Sequence, residues 1–570
     1  MRRRTWLILT AVALLLIASA SNGASPTPSP PPPSAAPSTM PPTPTISATV
    51  TLVASPTFAA TPTQNRARGG RLTTLTQVNV PHLDVHQVVQ ETLASMGPGL
   101  AYSRLLRLGT GPESEYPQPS LLVECDLCES WEALDPLTYS FKLREGIRWH
   151  DVSPVNGREL VADDVAYSLE RLGTPGWPNA SLMRNIESID VVDSHTLNIS
   201  LAPGFPDADF MVSLSDGHAK VVAPEVVELR GDLKEAEVIG TGPWRWVSTR
   251  EDVGTLLERN ESYFETGLPY ADELFIRVVK ASDEARLAAF ATGVVDVYRL
   301  PPELREPLEE TGVTYSSFLS RRGGSGLALA MNTTAPPFDD LRVRQAVLLA
   351  LDPWRDLDDL WSGQGFVSAG IPVRSPLWLL GEEEVRGTYL ASPARARELL
   401  ESIGAGSLPP LALHVGDFGD LHLEYGRSIA EDLRAVGFDI PTEPLSLTPP
   451  EYRTKVWVRG DYQIAVGPLP PTVTTNNYLL NILHSSSALN VTRHADGTLD
   501  TLIAEQATEQ EPAARGEMVR QIQRRVLEQA YMVATVTAGD LWVYQRKVKG
   551  FHPNTAASEY FFWAKTWLEG

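Results

Sequence analysis

Polar and hydrophobic side chains alternate one by one near the end of the first quarter of this chain. Tyr139, Phe141 and Leu143 are separated by polar residues. This two-residue period is typical of a strand with one face buried. Glu145 and Gly146 then interrupt the pattern. The sequence therefore predicts a strand that ends near Gly146.

The hydrophobic spacing changes to that of a helix further along. Val165, Leu169 and Leu172 would lie on one face of a helix. Asp163 and Asp164 directly precede them, in the first turn, where the helix dipole favours carboxylates. We interpret these two acids as the start of a helix and assign them no catalytic role.

Helical and strand patterns also alternate in the last third of the chain. One helix is predicted from Pro393 to Gly404, and a second ends at Gly437. Phe438 and Ile440 follow the second helix and predict a strand. A third helix and a final strand are predicted around residues 519–526 and 531–543. This alternation indicates an α/β protein with a mixed sheet flanked by helices.

Composition and charge narrow the class of protein. The chain has 570 residues, of which 43% are hydrophobic. These residues can build a core larger than one domain normally holds. We therefore expect two or more lobes. The formal net charge of −22 argues against nucleic acid as a partner, because phosphate binding needs a basic surface.

The first residues have the order of a secretory leader. Three arginines, an apolar run over residues 6–20 and small residues up to 24 follow one another. We predict a signal peptide at 1–24. Because the run is shorter than the ~20 residues of a spanning helix, cleavage is favoured over an uncleaved anchor. No cysteine follows it, so a lipoprotein is not expected. Residues 25–65 are rich in Pro, Thr and Ser and predict a disordered linker.

The two cysteines, Cys125 and Cys128, have a C-x-x-C spacing. A zinc site needs about four ligands, and no second pair of Cys or His lies nearby. A thioredoxin-like motif would open a helix after a strand, which this context does not predict. In an exported protein we expect a local disulfide or two partly buried thiols, and we predict no metal.

Several longer motifs follow one another in a fixed order. They are YSFKLREGIRWHDVSPVNGRELVADDVAYSLERL at 139–172, GTGPW at 240–244, NESYFETGLP at 260–269, FATGVVDV at 290–297 and MNTTAPPFDDLRVRQAVLLALD at 331–352. This series resembles the cluster 5 extracellular solute-binding proteins, which are the oligopeptide, dipeptide and nickel-type receptors of ABC importers. The resemblance covers about residues 66–570.

The resemblance implies a two-lobed periplasmic-binding-protein (Venus-flytrap) fold, class II-like, with an extra inserted subdomain. The expected limits are 66–100, 185–318 and 530–570 for lobe I, 101–184 for the inserted subdomain and 319–529 for lobe II. Two interlobe crossings, near 315–320 and 528–536, would form the hinge.

The resemblance also implies the function of an extracytoplasmic substrate-binding component. Such a protein captures a peptide or other small polar solute between its lobes and delivers it to the permease subunits of the transporter. It would be a monomer without a cofactor, in the periplasm or on the outer face of the cytoplasmic membrane or cell wall. The alternatives are a ligand sensor with the same fold and, with less support, a secreted hydrolase. Because we find no hydrolase motif, we expect no enzymatic activity.

Candidate ligand-binding residues follow from the same resemblance. Peptide receptors often carry an Asp after a late strand of the second lobe, but the segment at 462–478 has none. Its candidates are Asn476, Asn477 and Tyr478, which could bind a neutral polar ligand.

Further candidates lie in loops that the resemblance places near the cleft. They are Trp177, Arg321, Arg322 and Trp378, and, in the early loop, His82 and Asp84. Each has a plainer interpretation: a Trp in a core, an Arg pair that solvates a loop, and for H-x-D-x-H at 82–86 a weak metal motif.

Overall fold

The computed structural model describes residues 68–116, 120–203, 207–321, 326–373, 375–404, 408–470, 472, 474–555 and 559–570. The predicted leader at 1–24 and the predicted linker at 25–65 lie outside these residues. The described residues all belong to one compact unit. Among them, no helix combines the length and the apolar character that a membrane-spanning helix needs.

The strands are given in chain order. They are β1 (Arg71–Thr76), β2 (Leu106–Leu108), β3 (Val123–Cys125), β4 (Cys128–Asp135), β5 (Thr138–Leu143), β6 (Ile186–Asp193), β7 (Thr196–Leu201), β8 (Trp244–Arg250), β9 (Gly254–Arg259), β10 (Glu273–Val278), β11 (Val297–Leu300), β12 (Tyr315–Arg321), β13 (Leu327–Met331), β14 (Gly365–Val367), β15 (Leu413–Gly416), β16 (Leu445–Leu447), β17 (Ile464–Gly467), β18 (Met532–Gln545), β19 (Val548–Lys549) and β20 (Trp567–Leu568).

The α-helices are numbered in the same way. They are α1 (Glu91–Ala94), α2 (Ala162–Leu172), α3 (Phe210–Leu214), α4 (Pro224–Arg230), α5 (Asp283–Ala291), α6 (Arg305–Glu310), α7 (Leu341–Ala350), α8 (Pro353–Trp361), α9 (Glu382–Thr388), α10 (Pro393–Ile403), α11 (Asp420–Val436), α12 (Pro449–Tyr452), α13 (Thr475–Tyr478), α14 (Gly497–Thr508), α15 (Pro512–Glu528) and α16 (Phe562–Lys565).

The alternating stretch around residue 140 forms β5, in the middle of a four-stranded antiparallel sheet. The strand order is β4-β5-β7-β6. Tyr139, Phe141 and Leu143 are buried, as the alternation predicts. The predicted limit of the inserted subdomain at residue 184 falls between α2 and β6, and therefore within the part of the chain that builds this sheet.

Helix α2 packs against this sheet and begins at the predicted acids. Asp164 accepts a hydrogen bond from the backbone N–H of Val161 at 3.0 Å, which caps the helix. The same carboxylate accepts two hydrogen bonds from the guanidinium of Arg158, both at 2.7 Å. These contacts hold a loop and a helix together, so they give Asp164 a structural role.

The largest sheet in the described part of the chain has twelve strands. Ten follow the order β16-β15-β17-β13-β18-β11-β1-β10-β9-β8, and β12 and β14 pair with β18. Strand β18 joins its two halves. The first residues of β18 pair with β13, from Met532 to Val536. Its last residues pair with β11 and β12, up to Gln545. β12 and β18 therefore run side by side between the two halves.

The buried hydrophobic residues form separate cores on the two sides of this junction. The cores on one side use residues 72–315 and 541–568. The cores on the other side use residues 327–536. We call these parts the first lobe and the second lobe. The inserted four-stranded sheet belongs to the first lobe, in a core that extends from Val85 to Ile239.

The predicted strand at Phe438 and Ile440 is wrong. Both side chains are buried, but the backbone there belongs to no strand. Asp439 accepts a single backbone hydrogen bond from Leu411, at 2.8 Å. Burial of alternate side chains therefore occurs here without a ladder of hydrogen bonds, and the next strand, β16, begins only at Leu445.

Candidate functional site

The late segment of the second lobe contains a short helix next to the first lobe. The strand β17 ends at Gly467, and prolines follow that cannot donate to a sheet. Helix α13 then begins where the hydroxyl of Thr474 accepts a hydrogen bond from the N–H of Asn477 at 3.1 Å. The hydroxyl of Thr475 donates to the carbonyl of Pro372 at 2.6 Å and stabilises this turn.

An ion pair connects this region to the first lobe. Asp209 lies just before α3 of the first lobe, and Arg515 lies in α15 of the second lobe. The guanidinium of Arg515 donates to the two carboxylate oxygens of Asp209 at 2.5 and 2.9 Å. The two side chains are 3% and 2% exposed, so the pair is closed off from water.

Asn476 lies at the centre of the contacts around this pair. Its backbone N–H donates to Asp209 at 2.7 Å, and its side-chain amide donates to Asp207 at 2.9 Å. Its side-chain oxygen accepts from Gln506 at 2.9 Å. Gln506 in turn accepts from Arg515 at 3.1 Å. We call these five residues, Asp207, Asp209, Asn476, Gln506 and Arg515, the interlobe cluster.

The acidity of Asp207 is altered by this environment. Burial raises the pKa of its carboxyl, and the neighbouring charge of Asp209 acts in the same direction. The hydrogen bonds from Asn476, from the backbone of Asp209 and from Asn185 oppose this rise. The carboxylate is thus held by neutral donors, whereas Asp209 is paired with a charge.

Trp378 lies on the second-lobe side of the same cluster. The Arg515 guanidinium carbon is 5.3 Å from the centre of the indole, a distance at which a cation and an aromatic face attract each other. A Cβ on Gly516 would lie 2.6 Å from Trp378, so only glycine allows the indole to approach α15 this closely. The structure therefore brings Trp378 and Asn476 together through Arg515.

Tyr478 and Asn477 have different surroundings. Tyr478 is 2% exposed and packs in a second-lobe core, and burial raises the pKa of its hydroxyl strongly. Asn477 is half-buried and accepts a hydrogen bond from Asn481. Of the three residues predicted in this segment, Asn477 is the most accessible to a solute.

Asp84 of the early loop is fully buried and bound by other residues of the first lobe. Its carboxylate pairs with Arg171 at 2.5 and 3.1 Å and accepts the backbone N–H groups of His86 and Leu233. Burial alone would raise the pKa of Asp84, but the hydrogen bonds and charge of Arg171 outweigh it and lower the pKa. These contacts give Asp84 a structural role.

His82 and Trp177 lie on either side of this buried pair. The Nδ1 atom of His82 accepts the backbone N–H of Asp84 at 3.1 Å, and the half-buried ring lines a pocket of about 440 Å³ in the first lobe. The pocket also involves the early loop at Asn79 and the β8–β9 hairpin at Arg250. Trp177 is half-buried, and the guanidinium carbon of Arg171 is 4.8 Å from its ring.

The remaining candidates add little chemistry. No group of three or more His, Cys, Asp or Glu among the described residues is arranged to hold a metal ion. Cys125 and Cys128 form a disulfide that connects β3 to β4. Arg321 is the last residue of β12, and Arg322 lies outside the described residues.

A buried cavity near the carboxyl end is too small for a solute. Lys220, Arg104 and Glu559 are among its lining residues, and Arg104 pairs with Glu559 at 2.6 Å. Burial, followed by the charge of Arg104, lowers the pKa of Lys220 to about 7. The cavity volume of about 20 Å³ is enough for a single water molecule.

Asp207, Asp209, Gln506 and Arg515 are not among the residues predicted from the sequence. One signal was present in helix α15. Arg515 has the helical spacing of the buried residues Val519, Ile522 and Val526, so it lies on their apolar face. A charge at such a position indicates a buried partner. The position of that partner, 306 residues away in the chain, is decided only by the fold.

Comparison with known proteins assigns the chain to a family. The family described as "Bacterial extracellular solute-binding proteins, family 5 Middle" matches residues 123–490, which is more than half of the chain.

Individual relatives are more distant in sequence. Heme-binding protein A of Haemophilus influenzae is 26% identical over 339 residues, which cover 56% of this chain and 59% of that protein. The chain therefore aligns with less than two thirds of this relative. The probable di/tripeptide-binding protein 5 of Pseudomonas aeruginosa is 24% identical over 522 residues, or 86% of this chain and 94% of that protein.

A solved structure shows the same fold over almost the whole length. The periplasmic binding protein DppA from Helicobacter pylori, in complex with peptide STSA, has a TM-score of 0.65 and 20% sequence identity, and covers 89% of this chain and 99% of that chain. The fold is thus the predicted two-lobed periplasmic-binding-protein fold. With the family match, these findings lead to one conclusion: the chain belongs to the bacterial extracellular solute-binding proteins of family 5.

Proposed function

We propose that this protein is the extracytoplasmic substrate-binding component of an ABC importer, which captures a solute between its lobes and presents it to the membrane permease. The observation that carries the proposal is the division of the cores into two lobes that are joined by β12 and β18. Two lobes on paired strands can open and close as bodies without loss of either core. A solute that contacts both lobes then shifts the population towards the closed form.

The proposed solute is a peptide or another small polar molecule. Di/tripeptide-binding and heme-binding proteins among the relatives support this range. The late segment at 462–478 of this chain carries no carboxylate. A buried ammonium without a counter-charge is costly, so we do not expect this segment to capture a free peptide amino terminus. A neutral polar end group fits that segment better.

The proposed solute surface combines one part of each lobe. In the first lobe it is the pocket lined by His82, together with Trp177, which lies against Arg171. In the second lobe it is the accessible part of the late segment at Asn477. Since Asp84 and Tyr478 are buried among their own neighbours, we propose that they support these surfaces without touching the solute.

We further propose the domain limits of the exported protein. Lobe I would use residues 66–100, 202–318 and 530–570, and lobe II residues 319–529. The inserted subdomain, expected at 101–184, would take over residues 185–201 as well, because β6 and β7 belong to its sheet. We also propose that the chain is a monomer, that it carries a signal peptide at 1–24 and a linker at 25–65, and that it is not a lipoprotein.

The experiment that tests this function is native mass spectrometry of the exported protein, purified without denaturation. We expect one small molecule bound per chain, with a mass that identifies it. Transfer of the ligand-stripped protein to a solution of that molecule should restore the complex. Chemical turnover of the bound molecule, or binding of nothing from any solute mixture that includes peptides and heme, would contradict the proposal.

A matched pair of variants locates the solute surface. His82→Ala should raise the Kd for the identified solute at least tenfold, because His82 lines the first-lobe pocket. Arg395→Ala, in a pocket lined only by residues of the second lobe, should leave the Kd unchanged. Equal Kd values for the two variants would exclude the His82 pocket while leaving the transport function in place.

A further inference from the structure

The interlobe cluster is a closed network of hydrogen bonds. Both oxygens of Asp209 accept from Arg515, and one of them also accepts the backbone N–H of Asn476. All three guanidinium nitrogens of Arg515 donate, because Nε reaches Gln506. Each of these side-chain polar atoms therefore already has a partner within the protein.

The second carboxylate of the cluster is equally occupied. Asp207 accepts from the backbone N–H of Asp209 at 3.0 Å and from the side chain of Asn476 at 2.9 Å. Its other oxygen accepts from Asn185 at 3.1 Å. The side-chain amide of Asn476, which the sequence suggested as a ligand contact, donates to Asp207 and accepts from Gln506.

The network connects parts of the chain that belong to different cores. Phe210, next to Asp209, packs in the first-lobe core that contains the inserted sheet. Val519 and Ile522, on the Arg515 face of α15, pack in a second-lobe core. A backbone hydrogen bond from Ala208 to Ala507, at 3.1 Å, runs beside the ion pair. All of these cross-lobe contacts must break when the lobes separate.

The cost of a partial contact makes the network selective for one geometry. A buried ion pair that is fully hydrogen-bonded is tolerated, whereas removal of one partner leaves an uncompensated buried charge. If the lobes closed slightly out of register, Asp209 and Arg515 would therefore be exposed to water or buried without a partner. Only the fully closed arrangement satisfies both.

We propose that the interlobe cluster is a closure latch: Asp209 and Arg515, positioned by Asp207, Asn476 and Gln506, hold the two lobes shut through contacts that the solute does not make. The latch rests on the proposed function, because it assumes lobes that open and close. It acts on affinity through the population of the closed form, since the apparent Kd equals the intrinsic Kd divided by the fraction that is competent to bind. Its residues are positioning residues, not solute contacts.

A second ion pair on the same helix provides a matched control. Arg525 of α15 pairs with Asp496, at 2.7 and 3.1 Å, and Asp496 also caps α14. Both residues lie in the second lobe. Loss of this pair should reduce stability without any effect on the distance between the lobes.

The experiment measures the interlobe distance in the full exported chain. Both native cysteines are in the disulfide, so spin labels on Val192→Cys and Val458→Cys report specifically on the first and the second lobe. In the solute-free protein we expect a closed population. Asp209→Asn should lower the ratio of closed to open protein at least tenfold. Asp496→Asn should lower Tm but leave the distance distribution unchanged.

A double variant separates the latch from a general loss of packing. Asp209→Asn leaves Arg515 buried and unpaired in the closed form, and Arg515→Met removes that charge. The double variant should therefore recover part of the closed population that Asp209→Asn loses. The Kd of the identified solute should rise with the open fraction in each variant.

Two outcomes would overturn the latch. One is an unchanged distance distribution in Asp209→Asn, with only a lower Tm, as in the Asp496→Asn control. The other is a changed distribution without any change in Kd. Failure of the protein to bind any solute would contradict the transport function alone, because the distance measurement needs no solute.

Discussion

His150 shows how a single buried side chain joins two of the motifs in this sequence. It lies in the block at 139–172, and its Nε2–H donates to the carbonyl of Gly242 at 3.3 Å. Its Nδ1 accepts the N–H of Gly240 at the same distance. Gly240 is required there, because a Cβ would lie 2.0 Å from the carbonyl oxygen of Ala101. The ring thus needs Nδ1 without a proton, which is the neutral form.

This arrangement predicts a dependence of stability on pH. Burial lowers the pKa of His150 to about 4 from about 6.5 in the unfolded chain. Because the folded pKa is the lower one, the unfolded state takes up the proton first, and stability is lost as the pH falls from about 6.5 to about 4. At about pH 4 this residue lowers the free energy of unfolding by about 3 kcal/mol. Urea unfolding of His150→Asn at pH 7, 6 and 5 should show a shallower pH slope than the native chain, and parallel slopes would refute the assignment.

At the scale of elements, the ends of helices follow directly from the sequence. Helix α11 ends at Val436, and Gly437 follows it with a φ of 115°, in the left-handed region that favours glycine. Its N–H donates to the carbonyl of Arg434 at 3.1 Å and closes the helix. No heavy atom lies within 4 Å of a Cβ built there, so only the backbone conformation requires glycine.

This requirement predicts opposite effects for two substitutions of the same type. Gly437→Ala should lower the free energy of unfolding by about 1–2 kcal/mol, the cost of a left-handed conformation. Gly387 lies inside α9, also with no atom within 4 Å of its Cβ position. Gly387→Ala should raise the free energy of unfolding by about 0.5–1 kcal/mol, because alanine favours the helix. Denaturant unfolding of the two variants measures both values. A loss at Gly437 no larger than the change at Gly387 would contradict the argument.

For the whole molecule, the determining element is β18. Its 14 residues pair with strands of both lobes, so the two half-sheets share one strand. This strand and its neighbour β12 keep the lobes connected, and no residue of the interlobe cluster belongs to either strand. Opening is therefore expected to bend the paired strands and to break the cluster.

The closure of two lobes predicts a change of size on binding. At saturating concentrations of the identified solute, small-angle scattering should give a smaller radius of gyration than for solute-free Asp209→Asn, which we expect to be open. Binding at 100 times the Kd should also stabilise the folded state by about 2.7 kcal/mol, seen as a higher Tm. A higher Tm at constant radius would indicate a solute that binds to one lobe only.

The sequence by itself determined the local structure and the family. Periodic hydrophobic positions fixed β5, α2, α10, α11 and α15, because side-chain burial on one face depends on spacing within a few residues. The order of motifs indicated the fold of solute-binding proteins, which the family match and the solved structures confirm. The strand predicted at Phe438 failed because alternate burial does not require a partner strand.

Only the tertiary structure decided which polar residues meet. Asp209 and Arg515 are 306 residues apart, and no local pattern pairs them. The same holds for Asp84 and Arg171, which are 87 residues apart. A charge can be buried only where the fold supplies its partner, and that partner is chosen by the packing of whole elements. For this reason the sequence predicted Asn476 as a solute contact without its partners, and the fold adds the hydrogen bonds to Asp207 and Asp209 of the first lobe.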